Sequence, residues 1–207
     1  MNIDIVGEDV VTQTIAQRLI LNYRPDLTIG TIHPVRGAQI KNEAPKFNRL
    51  GLPIFLLADQ DNIPCAPAVI VDWLGEAQVS QTMLFRIADW EAEVWLMADR
   101  QNFAKWLGIP VALIPTPVEG SLCKDGSRLL ELPFRYKPSL FMMLELASRA
   151  SKTEIKNQLT PGPKASKGPA YNSALVPFID NLWDPEIARQ SSTSLDKAIR
   201  RLQAFQP

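Results

Sequence analysis

Acidic side chains follow several apolar segments of this sequence that have the composition of buried β-strands. Glu8 comes just after the first such segment, Asp59 and Asp61 follow the run PIFLLA, and Glu93 follows a later segment. In parallel α/β sheets, ligands bind beyond the carboxyl ends of the strands. Carboxylate oxygens suit a hard divalent cation, Mg²⁺ or Mn²⁺. The spacing therefore predicts a divalent-cation site built from acids that are distant in sequence.

Each of these acids also has an ordinary structural interpretation. Asp59 and Asp61 can begin a loop and cap the next helix, as aspartates often do. Glu91 and Glu93 can occupy the first turn of a helix, where the macrodipole favours negative charge. Two residues that are two apart diverge on a helix and converge only where the chain is still extended, so we expect one of the two, Glu93, to face the site.

The cysteine and histidine content excludes several other chemistries. Two cysteines, Cys65 and Cys123, are too few for a disulfide framework or a four-cysteine zinc site. A single histidine, His33, argues against a zinc enzyme with histidine ligands. Nucleophilic catalysis of the Ser-His or Cys-His kind would have to use His33, which is interpreted as a strand-end residue.

A net charge of zero conceals an asymmetry along the chain. Residues 59–99 hold eight acids and one base, a sum of −7, whereas residues 124–167 hold nine bases and four acids, a sum of +5. One interpretation is that acidic and basic faces neutralise each other within one fold. The other is a carboxylate cluster that holds a cation, with a basic rim that receives a polyanion such as nucleic acid.

Length and composition indicate a globular protein with one large domain or a domain with an appendage. The chain has 207 residues, of which 46% are hydrophobic and 21% charged. No apolar run approaches 18 residues, so no membrane association is expected. The first residues carry acids and no bases, so no secretory signal is predicted and the cytoplasm is the expected compartment.

Apolar runs and helical periodicities alternate over the first half of the chain, which predicts an α/β fold with a mostly parallel sheet flanked by helices over residues 1–115. Strands are predicted at 2–6, 28–33, 53–58 and 83–88, and helices at 10–22, 38–50 (broken by Pro45) and 91–107. A helical, proline-rich extension packed on this core is predicted over 116–207. Its helices are expected at 139–150 (extended by 151–158), 173–182 and 194–205 (with Ser194 as N-cap), and a rigid loop at 160–172.

Four motifs together resemble the TOPRIM-like domains of OLD-type nucleases and, more closely, a little-characterised bacterial family distantly allied to them. They are Glu8-Asp9, the LLADQD run followed by Cys65-Ala66-Pro67, the segment EAEVWLMAD that ends at Asp99, and the late segment KGPAYN. The resemblance to the small family spans most of the chain, whereas the TOPRIM part covers about residues 1–115.

This resemblance implies a TOPRIM-like, Rossmann-like sheet and a Mg²⁺-dependent phosphodiester hydrolase. Glu8 would be a metal ligand or the acid–base residue, Asp59 and Asp61 would be metal ligands, and Glu93 would add another. The usual glutamate-glycine order is replaced here, because Asp9 stands in the glycine position, and this affects the turn that presents Glu8. No topoisomerase-type tyrosine is identified, so a nuclease is expected rather than a nicking-closing enzyme.

Basic residues of the second half are candidates for binding phosphate. Lys137 could stabilise transition-state charge. Lys164 and Lys167 could clamp phosphates, and Tyr171 could stack on a base. The loop that carries these last three lacks the P-loop spacing. In the alternative interpretation the lysines are solvated and the loop only seals the C-terminal helices against the sheet.

The resemblance also implies partners. OLD-type systems pair the nuclease domain with an ATPase, and since this chain has no nucleotide-binding motif, a separate ATPase subunit and a role in defence against phage are implied. The residues leave open whether the chain forms a homodimer. Two other functions are open: a non-enzymatic TOPRIM-derived binding or regulatory subunit, and a receiver-like phosphoacceptor. The length, Asp61 and the segment EAEVW argue against the second of these.

Overall fold

The computed structural model describes residues 1–34, 37, 39–122 and 128–207. The predicted helix start at Ala38 lies outside these residues, as do Cys123 and the first residues of the basic segment. Packing divides the chain into two compact units. The first comprises residues 1–92 and 197–207, and the second comprises residues 93–196. The predicted boundary at residue 115 falls inside the second unit.

The first unit is built on a four-stranded parallel sheet. Its strands are β1 (Asn2–Gly7), β2 (Thr28–Ile32), β3 (Ile54–Asp59) and β4 (Met83–Ala88), in the order β2-β1-β3-β4. Residues 54–58 of β3 are fully buried, as expected of a central strand covered on both faces. The predicted α/β fold with a parallel sheet flanked by helices is therefore confirmed.

Three helices of the first unit connect the strands: α1 (Val10–Tyr23), α2 (Gln39–Arg49) and α3 (Ala66–Leu74). Asp9 begins α1 with a capping box, since its side chain accepts from the Thr12 N–H and the Thr12 hydroxyl accepts from the Asp9 N–H. Apolar residues of α2 and α3 pack with alternate residues of β3 and β4 in one cluster, which includes Phe47, Val69 and Phe85.

The structure corrects two predictions for the first unit. The predicted break at Pro45 is wrong, because α2 continues through Pro45 to Arg49. A proline removes one helical hydrogen bond, but the buried face formed by Ile40, Ala44 and Phe47 keeps the helix together. The helix α3 was not predicted, although Pro67 near its first position is typical of a helix start.

The second unit is mainly helical. Its helices are α4 (Ala92–Ala98), α5 (Arg100–Leu107), α6 (Pro138–Phe141), α7 (Thr153–Leu159), α8 (Tyr171–Asn181), α9 (Pro185–Ala188) and the start of α10 (Thr193–Gln203). The first residue of α4, Ala92, and the part of α10 from Lys197 onward belong to the first unit. It also holds an antiparallel hairpin of β5 (Val118–Leu122) and β6 (Arg128–Glu131). The prediction of a helical, proline-rich extension did not include this hairpin.

Two predicted helices of the second unit differ in detail from the structure. The segment predicted as one helix over 139–150 is α6 followed by a π-helical turn, Met142–Leu146, and a 3₁₀ turn, Ala147–Arg149. The N-cap prediction for Ser194 is wrong, because α10 already begins at Thr193. The Ser194 hydroxyl instead accepts a hydrogen bond of 2.8 Å from the Trp95 indole, and the Ser192 hydroxyl accepts from the Leu195 N–H.

No helix in the described ranges combines the length and apolar character needed to cross a bilayer.

Candidate metal centre at the carboxyl edge of the sheet

The strand order places the ends of β1 and β3 at a topological switch point. Chain connections leave this point in opposite directions, and open α/β sheets bind ligands in the resulting crevice. Glu8 follows β1 and Asp59 ends β3. The Glu8 carboxylate accepts a hydrogen bond of 3.0 Å from the Asp59 N–H. These two acids, 51 residues apart in sequence, therefore meet at this edge of the sheet.

Three carboxylates form a close group at the same edge. Asp59, Glu91 and Glu93 each offer one oxygen, and these oxygens all lie within 4.8 Å of one another. Glu91 and Glu93 are only 5% and 4% exposed. Close, buried negative charges repel each other strongly unless a positive charge or a proton offsets them. These three acids could therefore hold a metal ion.

The local backbone explains why Glu91 and Glu93 converge although they are two residues apart. Helix α4 begins at Ala92, so Glu91 precedes the helix and Glu93 lies in its first turn. The Ala92 N–H donates to an Asp59 oxygen over 2.8 Å, which fastens this segment to the end of β3. The division between the two units falls inside the segment, between Ala92 and Glu93. We expected only Glu93 to face the site, and sequence reasoning missed Glu91.

Asp61 is also predicted to be a metal ligand, and this role stays a prediction. Within the described residues it does not belong to the group of three, and it is exposed. Its backbone has φ of 49° and its N–H donates to the Trp90 carbonyl over 2.8 Å. Trp90 itself has φ of 59° and is 42% exposed.

Positive φ costs a residue such as tryptophan about 1–2 kcal/mol, whereas aspartate adopts it more readily. Because Asp61 and Trp90 hydrogen-bond to each other, the strained backbone joins the loops that follow β3 and β4. Strained residues of this kind cluster at functional sites. The sequence contains no signal that identifies a tryptophan with positive φ.

The donor set suits a hard divalent cation. All three candidate ligands are carboxylate oxygens, which Mg²⁺, Mn²⁺ and Ca²⁺ prefer. Opposite oxygens around Mg²⁺ are about 4.2 Å apart, since each lies at about 2.1 Å, and opposite oxygens around Ca²⁺ are about 5 Å apart. Oxygens that all lie within 4.8 Å of one another can reach either ion after small side-chain movements. Burial also raises the pKa of the neighbouring Asp89 carboxyl.

Tyr171 connects the late motif to Glu93. Its hydroxyl donates a hydrogen bond to Glu93 Oε1, and the residue is only 3% exposed. The Lys167 ammonium lies 4.6 Å from the centre of the Tyr171 ring, within the range of a cation–π interaction. These contacts give Tyr171 a role in holding Glu93, whereas its stacking on a nucleic-acid base stays a prediction.

The predicted phosphate-binding lysines lie on the surface. Lys137, Lys164 and Lys167 are all exposed. Lys137 precedes α6, and its carbonyl accepts from the Phe141 N–H. Lys164 lies in the loop before α8, close in sequence to Lys167. Their roles in catalysis and nucleic-acid binding stay predictions.

The last acid of the EAEVWLMAD segment is structural. Asp99 is fully buried and caps α5 by accepting from the Asn102 N–H. Its other oxygen accepts from the Asn102 amide and from the Asp184 N–H, each over 2.8 Å. Asp184 in turn caps α9. Asp99 therefore joins the starts of two helices within the second unit.

Burial gives the Asp99 carboxyl a pKa above its ordinary value of 3.8, in spite of the hydrogen bonds that it accepts. The folded state therefore binds this proton more tightly than the unfolded state does. The stability due to Asp99 is then highest below pH 3.8 and decreases as the pH rises through the raised pKa. We expect the free energy of unfolding of the wild type to fall, relative to that of Asp99→Asn, across this window. Urea titrations at a series of pH values would measure this, and a constant difference would contradict it.

Comparison of the chain with protein-family models, curated proteins and solved structures finds no match in any of the three.

Proposed function

We propose that this protein is a metal-dependent phosphodiester hydrolase, a nuclease with a TOPRIM-like acidic site. The observation that carries the proposal is the group formed by Asp59, Glu91 and Glu93, with one oxygen of each within 4.8 Å of the others. The position of this group at the carboxyl ends of parallel strands supports it, because such crevices bind ligands. The strained pair of Asp61 and Trp90 at the same edge also supports it.

The three carboxylates would hold Mg²⁺ or Mn²⁺. A bound ion of this kind polarises a phosphate and provides hydroxide at neutral pH. Glu8 is the proposed acid–base residue, because its carboxylate lies against the Asp59 backbone without belonging to the group of three among the described residues. Glu8 would accept the proton of the attacking water. Tyr171 would keep the Glu93 carboxylate in position through the hydrogen bond that its hydroxyl donates.

The remaining parts of the proposal rest on the motif resemblance. Nucleic acid is the proposed substrate, with Lys137 stabilising transition-state charge and Lys164 and Lys167 contacting phosphates. A separate ATPase subunit is the proposed partner, and phage defence is the proposed setting. Asp61 would contact the substrate or stabilise its own loop, and it would not be a ligand of the same ion.

Metal removal gives the most direct test. Purified protein, alone and with any ATPase that is encoded beside it, is incubated with linear, nicked and structured DNA and with RNA. We expect cleavage in Mg²⁺ or Mn²⁺ that falls at least about 100-fold in EDTA, since the ion supplies most of the electrostatic stabilisation. Gel electrophoresis of end-labelled substrates measures the rate. Cleavage that persists in EDTA, or no cleavage of any substrate, would contradict the proposal.

A second candidate function is a cation-binding subunit without catalytic activity. The internal hydrogen bonds of the acids favour it, because Glu8 accepts from the Asp59 N–H, Asp59 accepts from the Ala92 N–H and Glu93 accepts from Tyr171. Such contacts suit a rigid structural site. Thermal unfolding separates the two functions: a higher melting temperature in Mg²⁺ without cleavage of any substrate would identify the subunit.

A further inference from the structure

A cavity lies between the end of β2 and one face of α2. Its volume is about 510 Å³, a size typical of small-molecule sites. His33, the residue that follows β2, lines this cavity together with residues that recur at helical spacing along α2. The α2 residues that matter here are Gln39, Asn42, Glu43, Lys46 and Leu50. All of the lining belongs to the first unit.

Asp4 fixes the orientation of the His33 ring. One Asp4 oxygen accepts from the Thr31 N–H over 2.9 Å, and the other lies 2.9 Å from His33 Nε2. A carboxylate only accepts hydrogen bonds, so Nε2 has the hydrogen and Nδ1 of the neutral ring keeps its lone pair. The Phe47 ring packs edge-on against the imidazole, with 4.9 Å between the ring centres. His33 therefore presents an oriented acceptor, Nδ1, that has no protein partner among the described residues.

The polar side chains of α2 add a second acceptor and two amides. One Glu43 carboxylate oxygen lies 3.2 Å from the Lys46 ammonium. This ion pair is weak, because the Lys46 and Glu43 side chains are 66% and 42% exposed, and a ligand hydroxyl can compete with it. The amides of Gln39 and Asn42 make no hydrogen bond within the described part of the chain. Each amide offers one acceptor oxygen and two N–H donors.

The charges and acceptors of the cavity indicate the class of its ligand. Lys46 and Glu43 neutralise each other, so the lining has no net charge when His33 is neutral, and an uncharged molecule fits it best. The two acceptors, His33 Nδ1 and the Glu43 carboxylate, require donors on the ligand, which hydroxyl groups provide. Acidic side chains accept from ribose hydroxyls in this way in dinucleotide-binding folds.

We infer that the cavity beside His33 binds an uncharged molecule with adjacent hydroxyl groups, either a sugar or the ribose of a nucleoside. The Glu43 carboxylate accepts from the two adjacent hydroxyls, and His33 Nδ1 accepts from a further donor. Gln39 and Asn42 contact the remaining polar groups of the ligand. The inference goes beyond the proposed hydrolysis and does not depend on the acidic group at the sheet edge.

Histidine NMR tests this site directly, because His33 is the only histidine of the sequence. Protein labelled with ¹⁵N-histidine is titrated with the four ribonucleosides and with the methyl glycosides of ribose, glucose and galactose. We expect at least one of these molecules to shift the Nδ1 resonance in a saturable way. Its 2-deoxy counterpart should bind at least about tenfold more weakly, since the missing hydroxyl leaves an acceptor unpaired. Binding of ribonucleosides alone indicates a nucleoside as the ligand, whereas binding of a methyl glycoside indicates a sugar.

Glu43→Gln tests the carboxylate. The substitution keeps the shape of a partly exposed side chain and removes its charge, so the fold is expected to stay intact. We expect the ligand found by NMR to bind about tenfold more weakly, because a charge-assisted hydrogen bond becomes a neutral one. Glu76→Gln is the matched control, since Glu76 is an exposed acid of the first unit outside the cavity lining, and it should bind like the wild type.

His33→Phe tests the acceptor nitrogen. Phenylalanine keeps a ring against Phe47 and lacks Nδ1, so saturation-transfer NMR, which observes the ligand, should detect no binding to this variant. Circular dichroism of the same sample shows whether the variant is folded, and Glu43→Gln tests the site independently if it is not.

Three outcomes would overturn the inference. The first is the absence of a saturable shift with every probe up to about 20 mM, which is weaker than millimolar binding. The second is equal affinity for the ligand and its 2-deoxy counterpart. The third is an unchanged affinity of Glu43→Gln or of folded His33→Phe, since the two acceptors would then not contact the ligand.

Discussion

Asp59→Asn is expected to abolish divalent-cation binding at the sheet edge and, with it, the proposed hydrolysis. The substitution keeps an oxygen that can accept the Ala92 N–H bond, so the start of α4 stays in place while one negative charge is lost. A change outside the ligand shell typically costs 10- to 100-fold in metal affinity, and we expect the loss of a ligand charge to cost about 100-fold or more. Calorimetric titration with Mn²⁺ and cleavage rates would measure both effects.

Asp61→Asn is the matched control for this experiment. Asp61 is two residues further on, is exposed, and is outside the group of three within the described residues. We expect its affinity for Mn²⁺ to stay within about threefold of that of the wild type, as for a surface change away from the ligands. If Asp61→Asn lowered the affinity for Mn²⁺ as much as Asp59→Asn, the two aspartates would bind the ion as a pair, as the sequence motif predicts. The group of Asp59, Glu91 and Glu93 would then not be the metal site.

Gly168→Ala is expected to lower the free energy of unfolding by about 3 kcal/mol, since forced overpacking costs 1–3 kcal/mol or more. A Cβ at this position would lie 2.3 Å from the Gln158 carbonyl oxygen and 2.4 Å from the Leu159 carbonyl carbon. Both atoms are backbone, so neither can move aside cheaply. The close approach is fixed by the Ala170 N–H, which donates to the Gln158 carbonyl over 3.1 Å. Urea denaturation followed by circular dichroism would measure the loss.

The same loop contains the control for this prediction. A Cβ on Gly162 would have no atom within 4 Å, so Gly162→Ala should change stability by less than about 0.5 kcal/mol. Equal effects of the two substitutions would show that the loop does not pack at Gly168. Because Tyr171 follows this contact directly and donates to Glu93, Gly168→Ala should also weaken cation binding, whereas Gly162→Ala should not.

The strands of the sheet could be predicted because burial leaves a local record in the sequence. A central parallel strand is covered on both faces, so β3 is a continuous apolar run, and the following change to polar residues marks its end at Asp59. The predicted end of β4 at Ala88 agrees with the structure for the same reason. The position of Glu8 and Asp59 at one edge then follows from the parallel topology.

The second half of the chain was harder to predict, because its elements depend on distant partners. The π-helical turn within 138–149 interrupts what periodicity indicates to be one helix, and the hairpin of β5 and β6 has little apolar alternation. Ser194 has the residue type of an N-cap, but the Trp95 indole uses its hydroxyl instead. Such contacts between residues about 100 positions apart leave no local pattern.

The sequence by itself determined the class of the fold and the chemistry available at the sheet edge, because strand burial and residue type are local properties. Only the tertiary structure decided which acids meet. Glu91 joins Asp59 and Glu93 because α4 begins between the two glutamates. Asp61, whose backbone has positive φ, is not part of this group within the described residues. The hydrogen bond between Tyr171 and Glu93 likewise depends on packing. The convergence of side chains depends on loop dihedral angles and long-range contacts, which residue types and spacing do not specify.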